Sequence, residues 1–473
     1  MVQKFSARGI FSVLILLISF WVIVYRIDAV PMNVWDESRQ ANNAIEMMLS
    51  GNYAFPTYNG QPDFWNTKPH LLIAIQAFFM KILGPGLLAL RLPSAIAGFI
   101  TVLIWFKFIH ERNGFYSAAV FVLVLLTCSG FNVYHVTRTG DYDALLVLFI
   151  SLATIGIIQM ENSQPELKKA IMAGLWISLA ALTKSVAVLL WIPSWILLIY
   201  WQRRNLGKNI YLFSLVLFGL PLLTMLIYYG FREWLNTGYV SAVWQNEWIG
   251  RYLKPNEGHV TNFDYYFKNL WTDSFRGFIL FTPLIFLLKE IRDPEKQGIR
   301  TLFVVLIFLL FISASATRIS WYAAPAFPLL SWLLSMPFGI NTVKKNLLFI
   351  YLAAIICMAV PGYFRNLHNN TTTHGVRAEW LLMDIDKGKK QLPEAAWLLS
   401  SYSPVADYYR KAFSIQKIAM RFLKLSDCKP GDTLIVGSEQ QMEELGQKFK
   451  LRQLNYPSEE KPYWLMLVEY PAH

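Results

Sequence analysis

The chain has 473 residues, of which 55% are hydrophobic and only 16% charged, and its mean hydropathy is +0.36. A soluble domain carries about a quarter charged residues, so this composition excludes an ordinary soluble enzyme and points to a protein built in a membrane. The net charge of +12 does not indicate nucleic-acid binding: Lys and Arg fall in short loops between apolar runs, and no basic patch with interleaved aromatics lies outside them.

From the N-terminus, Lys4 and Arg8 precede an apolar run from Ile10 to about Tyr25. The run is long for a secretory signal and no small-x-small cleavage site follows, so an uncleaved first helix with a cytoplasmic N-terminus is expected. Apolar runs of about 17–25 residues suit a bilayer core. Eleven spans are predicted, near 10–27, 86–108, 115–133, 143–160, 170–183, 186–201, 209–229, 276–289, 301–316, 322–338 and 347–364. Lys107, Arg112, Lys168, Lys169, Arg203, Arg204, Lys208, Arg292, Arg300, Lys344 and Lys345 then fall on the N-terminal side, as the positive-inside rule expects. The fold class is an all-α polytopic membrane bundle over 1–364, with a small periplasmic α/β domain over 365–473.

The first external loop, 28–85, is too long for a simple connection and is expected to carry the active site. It holds an amphipathic helix near Ser38 to Leu49, a turn-rich stretch at 56–60, and an apolar helix after Pro69, which suits a first turn. The run Leu71 to Leu83 is too short to span and is placed in the interface. In the tail, β-like runs at Thr433 to Val436 and Trp464 to Val468 flank a helical pattern at Glu439 to Phe449. Cys128, Cys357 and Cys428 give no disulfide framework and no zinc spacing.

Five polar clusters fall on the external side in this topology: Asp36-Glu37-Ser38-Arg39, Asn66-Thr67-Lys68-Pro69, Arg138 to Asp143, Thr183-Lys184, and Arg318 to Tyr322. Any one of them reads as a satisfied helix end or interfacial anchor, but ionisable groups at membrane helix ends mark functional sites and five share one face. Glycosyl transfer from a lipid-linked sugar phosphate needs this combination. A carboxylate orients the acceptor hydroxyl and takes its proton. Lys or Arg meets the negative charge growing on the departing phosphate.

The order Asp-Glu-x-Arg after the first helix, Lys-Pro in the same loop, Arg91-Leu92-Pro93-Ser94-Ala95, and an Arg-x-x-x-x-Asp element resembles one superfamily. It is the GT-C superfamily of protein mannosyltransferases and lipid A aminoarabinose transferases. Lys184 after an Ala-Leu run, and Trp321-Tyr322 followed by Pro325, extend the resemblance over roughly residues 1–340. The resemblance implies Asp36 as general base and Asp143 as the second acidic residue, with Asp141 an alternative to it. Lys68 and Lys184 would hold the donor phosphate, with Arg39, Tyr322 and Arg318 in support and Arg251 meeting phosphate from the large external loop. Glu37 is open between a supporting partner and a salt bridge to Arg39.

The implied partners are a polyprenyl-phosphate sugar and a lipid, glycan or protein Ser/Thr acceptor, at a bacterial inner membrane. No tightly bound cofactor is expected, and a divalent cation is left open as an alternative. In the aminoarabinose transferases an acidic residue before Lys-Pro and a loop histidine are associated with zinc, and here those positions are Thr67 and Trp248. His259 lies nearby with no evident acidic partner. A transporter or flippase of lipid-linked sugars is the rival reading, but no internal repeat is visible and the polar residues gather at one face. A non-catalytic member of the superfamily is a third, against which Asp36 and Lys68 count.

Overall fold

The computed structural model describes residues 7–160, 166–253, 261–289, 297–371, 379–389, 395–399, 403–437, 439–455 and 464–471. Its longer helices are α1 (Ala7–Val24), α2 (Asp36–Ser50), α3 (Leu71–Leu83), α4 (Leu87–Asn113), α5 (Phe115–Thr127), α6 (Asp143–Gln159), α7 (Leu167–Leu189) and α8 (Ile192–Trp201). They continue with α9 (Asn209–Leu235), α10 (Gln297–Ser313), α11 (Phe327–Ser335), α12 (Lys345–Thr371), α13 (Glu379–Asp386), α14 (Pro404–Gln416) and α15 (Glu439–Gly446). Five of these, α1, α4, α7, α9 and α12, are long and apolar enough to cross a membrane, and α3, α5, α6, α8 and α10 are shorter apolar helices. The chain is a multi-pass membrane protein.

Two compact units emerge, one formed by Met1–Ile27, Pro62–Leu72 and Arg91–Asn370, the other by Asp28–Gln61, Ile73–Leu90 and Thr371–His473. In the first, α7 packs along both α6 and α9, and α5 along α11. Lipid gives no hydrophobic drive between helices, so close approach relies on small residues and buried polar links. Gly174 of α7 is one such contact: an added Cβ would lie 3.1 Å from the Val216 carbonyl oxygen of α9. Gly130 is tighter still, with the Phe327 ring filling the space a Cβ would need. Trp332 Nε1 donates to Asn113 Oδ1 (3.0 Å) and Trp195 Nε1 to Thr154 Oγ1 (3.0 Å), so buried indoles also tie helices together.

Only Ser19 and Ile23 of α1 are buried, and most of its exposed side chains are apolar, as a lipid-facing helix should be. Its carbonyl end is met by two buried arginines. Arg138 Nη1 donates to Ile23 O (2.6 Å) and Nη2 to Tyr25 O (2.8 Å), while Arg91 Nη1 donates to Ile27 O (3.0 Å). Cations there satisfy orphan carbonyls and suit the negative end of the helix dipole.

Several segments differ from expectation. Residues 276–289 do not form one helix: a 3-10 turn, Phe278–Leu280, runs into a short helix, Phe281–Ile285, after Gly277 at φ 80° and with Pro283 inside. The 322–338 span is a 3-10 segment (Ser320–Ala326), α11 and a second 3-10 turn (Met336–Gly339), divided where Pro325, Pro328 and Pro337 remove backbone donors. The 115–133 span ends at Thr127, and α7 runs on to Leu189 instead of ending at 183. The amphipathic helix begins at Asp36, two residues earlier than expected, because two carboxylates in a first turn favour the positive helix end. Pro69 precedes α3 and is not in its first turn.

In the second unit, β1 (Ala396–Leu399), β2 (Phe422–Lys424), β3 (Thr433–Val436), β4 (Phe449–Asn455) and β5 (Trp464–Pro471) form a mixed sheet in the order β2-β1-β3-β5-β4. β1 runs parallel to β2 and β3, whereas β5 is antiparallel to both β3 and β4. Leu398, Leu434, Val436, Leu445, Met466 and Val468 make its core. α2 packs on α14 through polar links. Asn42 Nδ2 donates to Pro404 O (2.7 Å), Lys411 Nζ pairs with Glu46 Oε1 (2.8 Å), and Tyr58 OH donates to Asp407 Oδ2 (2.7 Å). Glu46 also accepts Thr57 Oγ1 (2.7 Å) and the amides of Asn59 (2.7 Å) and Gly60 (3.1 Å), closing a turn in which both residues have positive φ.

Two outcomes follow for stability. Gly130→Ala should lower the midpoint of thermal unfolding in detergent by an amount equivalent to about 1–3 kcal/mol, and Phe327→Ala should cost less in that background than in wild type, because the two side chains compete for one space. Burial pushes the Glu46 carboxyl up, but Lys411, Thr57 and the Gly60 amide outweigh it, so its pKa lies below the ordinary value. A depressed folded-state value stabilises fully above the unfolded Glu value of about 4.3 and is lost as pH falls through the folded value. Hydrogen-exchange protection factors in α14, which correct for the slowing of intrinsic exchange in acid, should therefore fall on acidification through that window. Glu46→Gln should show lower protection at pH 7 and little further acid dependence of it.

Candidate active site

Residues 128–142 carry the chain between α5 and α6 as a run of turns. His135 sits at φ 65°, stacked 3.7 Å from Trp321 at 16°, with Nδ1 3.2 Å from Asp141 Oδ2. Thr139 Oγ1 donates to the same carboxylate oxygen, and Ser94 Oγ donates to the Asp141 carbonyl (2.9 Å). Asp141 is therefore a tie-point of this loop.

Asp143, two residues on, opens α6 and is buried. Lys184 Nζ donates to its Oδ1 (2.7 Å) and Oδ2 (2.9 Å). The lysine reaches it from an irregularity in α7, where Lys184 alone leaves helical backbone angles (φ −147°, ψ 55°). Its ammonium also lies 5.1 Å from the Tyr322 ring centroid, within cation–π range. Asp143, Lys184 and Tyr322 line a narrow cavity of about 60 Å³, walled by Leu146, Phe308 and Ile312 and joined by Glu247.

The Lys68 loop is built beside this cavity. Asp63 Oδ1 accepts the amides of Trp65 (2.9 Å) and Asn66 (3.2 Å), and Asn66 Nδ2 donates to Tyr142 OH (3.1 Å). Lys68, almost fully buried, places Nζ 5.5 Å from the Tyr142 ring, the residue just before Asp143. Thr67 Oγ1 donates to Glu247 Oε1 (3.0 Å), and Tyr239 OH donates to Thr67 O (2.8 Å).

Of the residues singled out from sequence, Asp143, Lys184 and Tyr322 share the cavity, and Lys68 stands over the neighbouring tyrosine. Arg318 is fastened to the end of α10, Nε donating to Ser313 O (2.8 Å) and Nη1 to Thr261 O. Asp36, Glu37 and Arg39 belong to the second unit. There Asp36 opens α2, and Glu37 Oε2 accepts the Asn33 amide (2.9 Å) and its Nδ2 (3.1 Å). The Arg39 guanidinium lies 3.6 Å from the Tyr58 ring centroid. The Arg251 side chain and His259 lie outside the described residues.

At the two positions compared with zinc ligands, Thr67 bonds Glu247, and Trp248 stacks on Trp244 with ring centroids 5.9 Å apart. Neither side chain is of a type that binds zinc, so the metal does not fit that pair of positions and no step is routed through it. Sequence reading passed over Glu247, although a lone carboxylate between Trp244 and Trp248 is a signal of a positioned charge. It also passed over the Asn66–Tyr142 link, which depends on a contact between distant segments.

Comparison with known proteins agrees with this architecture. A family model described as dolichyl-phosphate-mannose-protein mannosyltransferase matches residues 67–229. An uncharacterized protein from Aquifex aeolicus is 26% identical over 356 residues, covering 73% of this chain and 77% of its own length. The crystal structure of ArnT from Cupriavidus metallidurans bound to undecaprenyl phosphate superposes with a TM-score of 0.70 at 14% identity, covering 98% of each chain. An oligosaccharyltransferase from Archaeoglobus fulgidus, tethered to an acceptor peptide, gives a TM-score of 0.54 at 13% identity over 95% of this chain and 69% of its own. The chain thus has the fold of these membrane glycosyltransferases. In sequence it resembles the protein mannosyltransferase family over residues 67–229, and in structure ArnT over nearly its whole length.

The ion pair makes its own prediction. Asp143→Asn or Lys184→Met leaves one buried charge without its partner and should destabilise by about 3–5 kcal/mol. The double variant Asp143→Leu with Lys184→Met should recover most of that loss in a detergent thermal melt. A double variant as unstable as the single ones would contradict charge compensation as the purpose of the pair.

Proposed function

We propose that this protein is an inverting glycosyltransferase that moves one sugar from a polyprenyl phosphate to an acceptor outside the cytoplasm. The observation that supports it most is the cavity where Lys184, Asp143 and Tyr322 meet, beside the buried Lys68, in a GT-C fold. Two lysines near one small cavity suit a phosphate monoester better than an apolar ligand, and the surrounding helices offer lipid-facing surface for a prenyl chain.

In this reading Asp36 takes the proton of the acceptor hydroxyl as that oxygen attacks the anomeric carbon. The bond from that carbon to the phosphate oxygen breaks on the opposite face, and the electron pair leaves with the polyprenyl phosphate. Lys68 and Lys184 stabilise the charge that develops there, with Arg39, Arg251 and Tyr322 in support. Asp143 holds Lys184 in place, Asp141 and Arg318 fix the surrounding backbone, and Glu37 fixes the turn before Asp36. The acceptor is lipid A, another envelope glycan or a protein Ser/Thr. The site and the C-terminal α/β domain lie on the periplasmic side of a bacterial inner membrane, with the N-terminus in the cytoplasm.

The test compares membranes carrying wild-type protein with membranes carrying equal amounts of Asp36→Asn, supplied with labelled sugar on polyprenyl phosphates and envelope extract. A product that falls at least a hundredfold in Asp36→Asn, with unchanged α-anomer or β-anomer purity in the residual product, supports the base assignment. Equal labelling in both removes Asp36 from the chemistry, and no labelling from any donor rejects the transferase reading.

A further inference from the structure

The apolar run of α12, 347–364, stops at Arg365. Just beyond it the helix is fastened to the end of α5. Asn366 Nδ2 donates to Thr127 O (3.2 Å) and Cys128 O (3.1 Å), Ser129 Oγ donates to Asn366 Oδ1 (2.9 Å), and Asn370 Nδ2 donates to Asn132 O (2.9 Å). Another segment bears on α12 at Gly277, where an added Cβ would lie 2.5 Å from Met358 Sδ. Between that segment and the helix lies a cleft of about 590 Å³, lined among others by Trp271, Arg276, Leu280, Met358, Pro361 and Arg365.

The cleft is cationic in an unusual way. Arg276 is exposed, whereas Arg365 is half-buried, and its Nε is buried with no hydrogen-bond partner among the described residues. A buried guanidinium nitrogen left unbonded is costly and calls for a partner. No carboxylate is among the described residues that line the cleft. An anion with several acceptor oxygens would answer both arginines, and guanidinium groups pair with phosphate through parallel N–H bonds. The remaining walls, Trp271, Leu280, Met358 and Pro361, are apolar and would be left uncovered by a free inorganic anion. The end of a spanning apolar run is the depth of lipid headgroups, and exposed tryptophans such as Trp271 gather there. A zwitterionic headgroup would bring an ammonium against two cations, so a net negative lipid fits better.

We propose that this cleft binds an anionic glycerophospholipid, with its phosphate on Arg276 and Arg365 and an acyl chain along Trp271, Leu280 and Met358. Basic pockets between membrane helices hold headgroups of this kind. The cleft shares no lining residue with the Lys184 cavity, so the site is separate from the proposed donor site and does not rest on that reading.

The full-length protein, stripped of lipid in detergent, is titrated with phosphatidylglycerol and with phosphatidylcholine, and bound lipid is counted by native mass spectrometry. Wild type should take up one phosphatidylglycerol at least tenfold more tightly than phosphatidylcholine. Arg365→Gln and Arg276→Gln should each weaken phosphatidylglycerol binding fivefold or more and leave phosphatidylcholine within twofold. Lys168→Gln removes an exposed cation outside the cleft and should change neither. Phosphatidylglycerol should also raise the melting temperature of wild type more than that of either arginine variant, as a ligand of the folded state does. Absence of a preference in wild type, or an equal loss in Lys168→Gln, would reduce the effect to general surface attraction and overturn the proposal. Glycerol 1-phosphate displacing the lipid at equal concentration would make the cleft a simple anion site. Tighter binding of decaprenyl phosphate that Arg365→Gln abolishes would give it to a prenyl lipid. Either result rejects a phospholipid as the occupant.

Discussion

An ammonium inside a bundle of apolar helices is tolerable only with a counter-charge in contact, and the centre of this protein is organised around that requirement. Lys184 and Asp143 come from different helices and meet through both carboxylate oxygens. The pair links α6 to α7, and its lysine stands where α7 departs from helical angles. Breaking a buried pair costs more than forming it gains, so its presence is better explained by what it positions than by stability. It leaves a cation and an aromatic ring facing a narrow cavity, with a second lysine over the adjoining tyrosine.

The loops around that cavity are held by side chains acting on backbone. Asp141 gathers His135, Thr139 and Ser94 into one knot, and Asp63 turns the chain into the Lys68 loop. Arg138 and Arg91 finish α1 by occupying its last carbonyls. These arginines and aspartates are buried, yet each has a defined partner, as polar groups in a low-dielectric interior require. The chemistry proposed here depends on such fixation: reacting groups misplaced by an ångström lose most of their effect.

How much of this was legible in the sequence depended on range. Apolar helices announce themselves by composition alone, so α1, α4, α9 and α12 fall close to their expected positions. Lys184 and Asp143 were legible as charges where charges are costly, and the order of motifs, by resemblance, grouped them; the structure pairs them at one cavity. Helix ends were less so. Residues 276–289 read as one span because hydropathy does not register the positive φ of Gly277 or the missing donor of Pro283. Glu247 escaped because its meaning lies in a bond to Thr67, 180 positions away. The packing of α2 on α14 escaped for the same reason: polar faces complementary across distant segments leave no local period to detect.

The partnership between α2 and α14 also sets an order of events in synthesis. Asn42 and Lys411 are 369 positions apart. At about 5–20 residues per second, the ribosome needs roughly 20–70 s to supply the second partner after the first. During that interval the helices between them are entering the membrane, while Asn42, Asn43 and Glu46 wait without the surface that later covers them. The polar groups of a face waiting in this way can be served by water. An apolar face in the same position would invite misassembly for as long as the wait lasts. The polar links of this interface thus suit a unit whose pieces are delivered far apart in translation.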